Sequence, residues 1–310
     1  MDPYDSDSSF DDEGDFSETN VLLGYAADEI VEDTISHLGG WPTWLDDATP
    51  PPGDFAKCKV CNQPMLLLLE LHGDLPNDFP DDERRLYIFS CPRKACNRKP
   101  GTSTGPRTPW PAQSDFPAPY TNFYLDAEYE TMSRPSTPTI PANVTIDNTE
   151  EEGPNGGAAE LKDTFESELD KAFIRFSTRL GHNPEQVLRY EFRGSPLLYS
   201  HADAVGKRLH DPSKTANPSA KVTTVGGGSR MPRCEYCGSE RVFELQLVPH
   251  AISVLEEGRE GVGLGPKDDA GMEWGTIILG VCGKDCGPNQ VGVVGYREEW
   301  AGVQWEEPTK

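Results

Sequence analysis

Cys234-Glu-Tyr-Cys237-Gly-Ser-Glu-Arg-Val-Phe-Glu-Leu-Gln-Leu-Val248 sets two thiols one turn apart and runs straight into an alternating apolar stretch. A CxxC pair presents both sulfurs from one tight turn, and a four-sulfur metal site needs a second pair returning from elsewhere in the chain. That pair is Cys282 and Cys286, reached through Trp274-Gly-Thr-Ile-Ile-Leu-Gly-Val-Cys282, another strand-like run. The pattern occurs twice. Cys58-Lys-Val-Cys61 leads into Pro64-Met-Leu-Leu-Leu-Leu-Glu-Leu-His72, and Arg85-Leu-Tyr-Ile-Phe-Ser-Cys91 returns towards Cys96. The two sets use all eight cysteines of the chain. Each unit reads knuckle, strand, loop, strand, knuckle, and with a metal holding both ends an antiparallel hairpin satisfies the pattern.

Two structural zinc sites are therefore expected, one on Cys58, Cys61, Cys91 and Cys96, the other on Cys234, Cys237, Cys282 and Cys286. Iron is the alternative metal for four sulfurs, zinc the commoner one in closed sites. Four disulfides are the competing reading, and they need an oxidising compartment. Met1 to Asn20 carries Asp2, Asp5, Asp7, Asp11, Asp12, Glu13, Asp15 and Glu18 with no basic residue, so it lacks the basic start and apolar stretch of a secretory signal. The greasiest run, Met65 to Leu69, is strand-sized, and no membrane span is expected. A cytoplasmic location follows, with the nucleus as a second compartment.

Two unrelated zinc ribbons would share this much. Gly39-Gly-Trp-Pro-Thr-Trp-Leu45 before the first CxxC has a looser echo in Gly194-Ser-Pro-Leu-Leu-Tyr199 before the second, which favours duplication with pseudo-twofold packing. Of 310 residues only 35% are hydrophobic, while 30 are Gly and 28 Pro, so the ordered part is well below the whole. Residues 101–119, 133–157 and 211–230 are low in complexity and are expected to be mobile. Tyr120 to Tyr129 reads as a strand, and Gln290 to Trp305 as closing strands. In Ala158 to Leu180, residues Phe165, Leu169, Phe173, Phe176 and Leu180 form one apolar stripe of helical period, expected to face the core. Gly181 would cap that helix in a left-handed conformation, and Asn183-Pro184 would open a short second one ending near Arg189.

The expected fold is α+β and β-rich, with two pseudo-symmetric halves that each carry a zinc-ribbon-like four-cysteine β element. Its divisions are an acidic disordered tail at 1–20, an N-terminal half at 21–130, a low-complexity linker at 131–157 and a C-terminal half at 158–310.

With 28 basic against 52 acidic residues the net charge is -24, which repels nucleic acid at long range and favours basic protein partners. Arg93-Lys94 and Arg98-Lys99 beside the first cysteine set could simply offset cysteinate charge. No catalytic constellation is expected. Every thiol is assigned, the six histidines are scattered, and no nucleophile-elbow or phosphate-loop motif occurs. Gly258-Arg-Glu-Gly-Val-Gly-Leu-Gly265 reads as a loop. A closed four-sulfur site also keeps no coordination position for water, so the metal would be structural.

Further residues carry a resemblance. Leu22-Leu-Gly-Tyr25, Gly39-Gly-Trp-Pro-Thr-Trp-Leu45, Cys58-Lys-Val-Cys61, Leu86-Tyr-Ile-Phe-Ser-Cys91 and Cys96 resemble the amino-terminal half of the programmed cell death protein 2 family. Gln186-Val-Leu-Arg-Tyr190, Pro196-Leu-Leu, Cys234-Glu-Tyr-Cys237-Gly, Phe243-Glu-Leu-Gln246, Cys282, Cys286 and Glu298-Glu-Trp-Ala-Gly-Val-Gln304 resemble its carboxy-terminal domain. The acidic tail and proline-rich inserts suggest a fungal member. The resemblance implies a dedicated ribosome-biogenesis chaperone that captures, during its synthesis, a basic small-subunit ribosomal protein. That client is small-subunit protein two, the counterpart of bacterial protein five, held for 40S assembly and pre-rRNA maturation. A monomer bound one-to-one to its client is expected, with Asp11, Asp12, Glu13, Glu150, Glu151 and Glu152 as the first acidic residues to test. The alternative is a zinc-ribbon RNA-binding factor acting directly on pre-rRNA, and an RNA-processing enzyme ranks last.

Overall fold

The computed structural model describes residues 16–99, 108–133, 171–210, 230–259, 271–288 and 290–306. Nine strands form one antiparallel sheet: β1 Phe16–Ala27, β2 His37–Leu38, β3 Leu66–His72, β4 Arg85–Ser90, β5 Phe123–Ser133, β6 Gln186–Tyr190, β7 Arg241–Leu247, β8 Trp274–Cys282 and β9 Trp300–Trp305. Their order across the sheet is β4-β3-β2-β5-β1-β6-β7-β8-β9. The helices are α1 over 171–181, α2 Ala204–Leu209 and α3 His250–Glu256.

The strand that joins everything is β1. It pairs with β5 from Phe16↔Ser133 to Ala27↔Tyr124 and with β6 from Leu22↔Tyr190 to Tyr25↔Gln186. Both cysteine sets therefore belong to one continuous sheet. Strands β3 and β8 are too apolar for alternation, and their burial says why. Leu66 to Leu71 and all nine residues of β8 are buried, so both faces of these strands are covered. One core runs from Leu38, Leu68 and Leu69 through Phe123 and Val187 to Leu245, Ile277 and Val281.

Buried carboxylates in this sheet are matched by arginines. Glu244 of β7 is fully buried, takes a bidentate pair from Arg84 at 2.9 and 3.0 Å, and accepts from the Tyr190 hydroxyl at 3.1 Å. Arg84 also meets Asp285 at 3.1 Å through Nε, so the loop of the first hairpin is tied to the second cysteine set. Glu130 of β5 is likewise fully buried and is held by Arg189 at 2.8 Å, by Arg179 of α1 and by the Thr19 hydroxyl at 2.8 Å.

Several expectations change here. Gln186 to Tyr190 is a strand, not a helix, because β1 and β7 flank it and claim its backbone. Asn183-Pro184 is a turn, in which the Gln186 amide and side chain both donate to the Asn183 carbonyl, at 3.3 and 2.6 Å. Gly181 is the last helical residue of α1 without a positive φ, so it is not a left-handed cap. The apolar stripe is only partly core. Phe176 is buried, but Phe173 is 48% exposed, with its ring edge-on to Tyr199; Phe165 and Leu169 lie outside the described residues. Of Gln290 to Trp305, only Trp300–Trp305 forms a strand. Phe16 to Asn20, assigned to the acidic tail, begins β1, and residues 131–133, assigned to the linker, finish β5, because each supplies the other's backbone partners.

The chain leaves β2 through Gly39 and Gly40, both at φ +64. Gly39 N–H donates to Leu68 O at 3.0 Å, and a Cβ there would lie 2.2 Å from Thr121 O. Gly39→Ala is therefore expected to lower stability by about 2–3 kcal/mol, read from the denaturant midpoint. Gly181→Ala, whose Cβ would meet nothing within 4 Å, is the control and should be neutral or stabilising.

Candidate metal centres

The two cysteine sets converge as two clusters, Cys58, Cys61, Cys91 and Cys96, and Cys234, Cys237, Cys282 and Cys286, whose sulfurs all lie within 4.8 Å of one another. Each cluster closes one end of a hairpin, β3–β4 in the first and β7–β8 in the second. The local construction matches residue for residue. The Cys58 amide donates to Gln63 O and the Asn62 amide to Cys58 O, both at 2.8 Å. In the second knuckle the Cys234 amide donates to Ser239 O at 2.9 Å and the Gly238 amide to Cys234 O at 2.8 Å. The residue after each CxxC has positive φ, +57 at Asn62 and +71 at Gly238, a backbone state that Asn and Gly tolerate best.

The strands repeat the match. Leu67 pairs with Phe89 and Phe243 with Gly280, each followed by a register shift that leaves out the next residue, Leu68 or Glu244. Cys91 and Cys282 then stand at the same offset beyond those partners. Such bulges bend a strand and fix its register, which aims the returning cysteine at the knuckle.

Sulfurs on a tetrahedral ion at about 2.3 Å are about 3.8 Å apart. Cys61 and Cys91 are 3.8 Å apart, Cys234 and Cys286 3.5 Å, and Cys237 and Cys282 3.5 Å. A disulfide would bring a pair to about 2.05 Å, and all eight thiols are free. The donor set fits a four-coordinate ion.

The thiols are not equivalent. Burial pushes Cys61 up, but the Gln63 amide and neighbouring sulfurs outweigh it and bring it down to about 7. At Cys237 the Ser239 hydroxyl and amide lower the thiol to about 6. Burial raises Cys91 and Cys286, and takes Cys96 up to about 11. Cys61 and Cys237 thus ionise most readily, while Cys91, Cys96 and Cys286 are held back by burial until a cation sits among them. Arg93 Nη1 lies 3.8 Å from Cys61 Sγ in the first cluster. In the second, the Cys282 amide donates to Glu299 at 3.0 Å, and Glu299 is clamped by the buried Arg241 at 2.6 Å. Nothing local in sequence pairs Glu299 with Arg241.

Several basic residues near the first cluster have partners within the chain at exposed positions. Lys94 meets Glu273, Arg98 donates to the Glu306 carbonyl and stacks over Trp305 at 5.5 Å, and nearby Lys59 meets Glu298. Asp11, Asp12, Glu13, Glu150, Glu151 and Glu152 lie outside the described residues. Among the described residues no helix is long and apolar enough to cross a membrane.

Residues 24–116 match the family model for the N-terminal domain of programmed cell death protein 2, and residues 170–305 that for its C-terminal domain. The chain is 40% identical over 149 residues to the probable 20S rRNA accumulation protein 4 of Schizosaccharomyces pombe, covering 47% of this chain and 32% of that protein. It is 30% identical over 135 residues to human programmed cell death protein 2-like, covering 44% and 29% respectively. Bovine programmed cell death protein 2 is 22% identical across 87% of this chain and 90% of its own length. The matches thus take in about a third of the length of the yeast and human relatives. No solved structure matches the chain.

Proposed function

Because the chain belongs to the programmed cell death protein 2 family, we propose that it serves ribosome biogenesis as a non-catalytic holder of a basic small-subunit ribosomal protein. The client we name is small-subunit protein two, captured as it is made and held until 40S assembly. The name of the yeast relative, a 20S rRNA accumulation protein, supports the ribosomal part. The charge arrangement supports the rest. Interior arginines are matched to Glu244, Glu130 and Glu299, and cations near the first cluster are engaged by Glu298, Glu273 and the Glu306 carbonyl. The whole sequence carries an acid surplus, at a net charge of -24. An acidic surface steers and shields a basic client, whereas RNA binding needs free Lys and Arg.

Zinc in both clusters, held by all eight cysteines, would act as a scaffold. With four sulfurs around it the ion keeps no open position for water or substrate. The matched knuckles and bulges support a zinc-ribbon-like hairpin present in duplicate, with the two copies in one sheet.

Affinity purification of the tagged chain from growing cells, with retained proteins and RNA both identified, tests the reading. One basic small-subunit ribosomal protein should be enriched, nascent chains included, and should be lost as salt rises. Retention of precursor rRNA without any such protein would replace this reading with the RNA-binding one.

A further inference from the structure

Away from both metal centres, a groove of about 500 Å³ opens where β1 ends, β5 begins and α3 packs alongside. Its apolar lining includes Phe123, Val254 and Ala26, with Tyr25 beside them. Asp28, Glu185 and Glu257 stand on its rim, all exposed, and the one lining residue that can carry positive charge is His250. Among the described residues none of these three carboxylates has an ion-pair or hydrogen-bond partner, in contrast to the arginine-matched carboxylates of the core. A second feature lies alongside. Pairing of β1 with β6 stops at Tyr25↔Gln186, while pairing with β5 continues to Ala27↔Tyr124. Ala26 and Ala27 thus have a strand neighbour on one side only, next to the groove.

We propose that this groove binds an extended basic peptide segment. Its backbone lies along the open edge of β1 at Ala26 and Ala27, an apolar side chain rests on Phe123 and Val254, and flanking Lys or Arg side chains reach Asp28, Glu185 and Glu257. An open strand edge supplies backbone pairing of the kind used in strand addition, and the rim charges select sequence. The inference rests on the client-holding reading and adds to it the place and chemistry of the contact.

The test uses the full chain and a labelled short peptide alternating Arg and Leu, with a Glu and Leu peptide as control. Asp28→Asn, Glu185→Gln and Glu257→Gln combined should weaken Arg-peptide binding about tenfold, as three exposed charge pairs do together. Thr121→Trp, which fills the groove without changing charge, should weaken it as well. Asp81→Asn, Asp82→Asn and Glu83→Gln, an equal charge change at another exposed place, should leave it within twofold. Equal weakening by this last set, or no effect of Thr121→Trp, overturns the groove. Capture of the ribosomal protein from cells separates the two readings. If the wild-type chain and the rim variant capture it equally, the groove fails and the holder reading stands. If the peptide binds in the groove but no ribosomal protein is captured, the holder reading fails and the groove stands.

Discussion

With an ion in each cluster, Cys61→Ser and Cys237→Ser are each expected to abolish the cooperative thermal transition of the chain and to lower its bound metal below two ions. Metal binding at a structural four-sulfur site contributes about 10–16 kcal/mol, and it is folding energy because the site is not assembled in the unfolded chain. Whole domains are stable by only about 5–15 kcal/mol. Losing the ion therefore outweighs the margin of the fold. The structure also says how far the damage travels. Each cluster closes a hairpin of a single nine-stranded sheet, and the main core spans both hairpins, while the second apolar cluster, Met231, Phe243 and Ile278, is too small to hold one half alone. Circular dichroism melting with elemental analysis checks this. Two ions still bound and an unchanged melt in either variant would sink the structural-metal reading, as would sulfurs found joined to each other.

Arg84→Met is expected to cost about 3–5 kcal/mol, because it leaves Glu244 fully buried without its cation. Tyr190 would remain as a neutral donor at 3.1 Å, and Asp285 would lose its contact. The double variant Arg84→Met, Glu244→Leu should recover most of the loss, since an apolar pair of similar volume has no charge to desolvate. The deficit of the single variant should depend on pH. Burial raises the Glu244 pKa above the ordinary carboxylate value even with Arg84 present, and removing Arg84 pushes it further up. A carboxyl whose folded pKa exceeds its unfolded one costs no stability below the unfolded pKa. The cost grows as pH rises towards the folded value. The gap between wild type and Arg84→Met should accordingly narrow on acidification. Urea midpoints at several pH values measure it, and a gap that widens at low pH refutes the assignment of the penalty to Glu244.

Legibility varied with the range of the interaction involved. The four strands flanking the cysteines could be placed within a residue or two, because the apolar runs Leu66 to Leu71 and Trp274 to Cys282 have no other way to be buried. Gln186 to Tyr190 could not, since five residues show no clear period and Asn183-Pro184 imitates a helix start. The first residues of β1 look like more acidic tail, and only a partner at 131–133 makes them a strand. The three rim acids come from β1's end, from the approach to β6 and from the end of α3, and no local pattern unites them.

From composition and spacing alone came the eight candidate ligands, their division into two sets, the hairpins between them and the acid surplus. These are properties of neighbours in sequence or of totals, and a CxxC turn carries its chemistry wherever it is placed. Tertiary structure alone decided that both hairpins join one sheet through β1, that Arg84 of one reaches Glu244 of the other, and that Asp28, Glu185 and Glu257 share a groove. Those contacts depend on long-range strand register, which no short window of residues encodes.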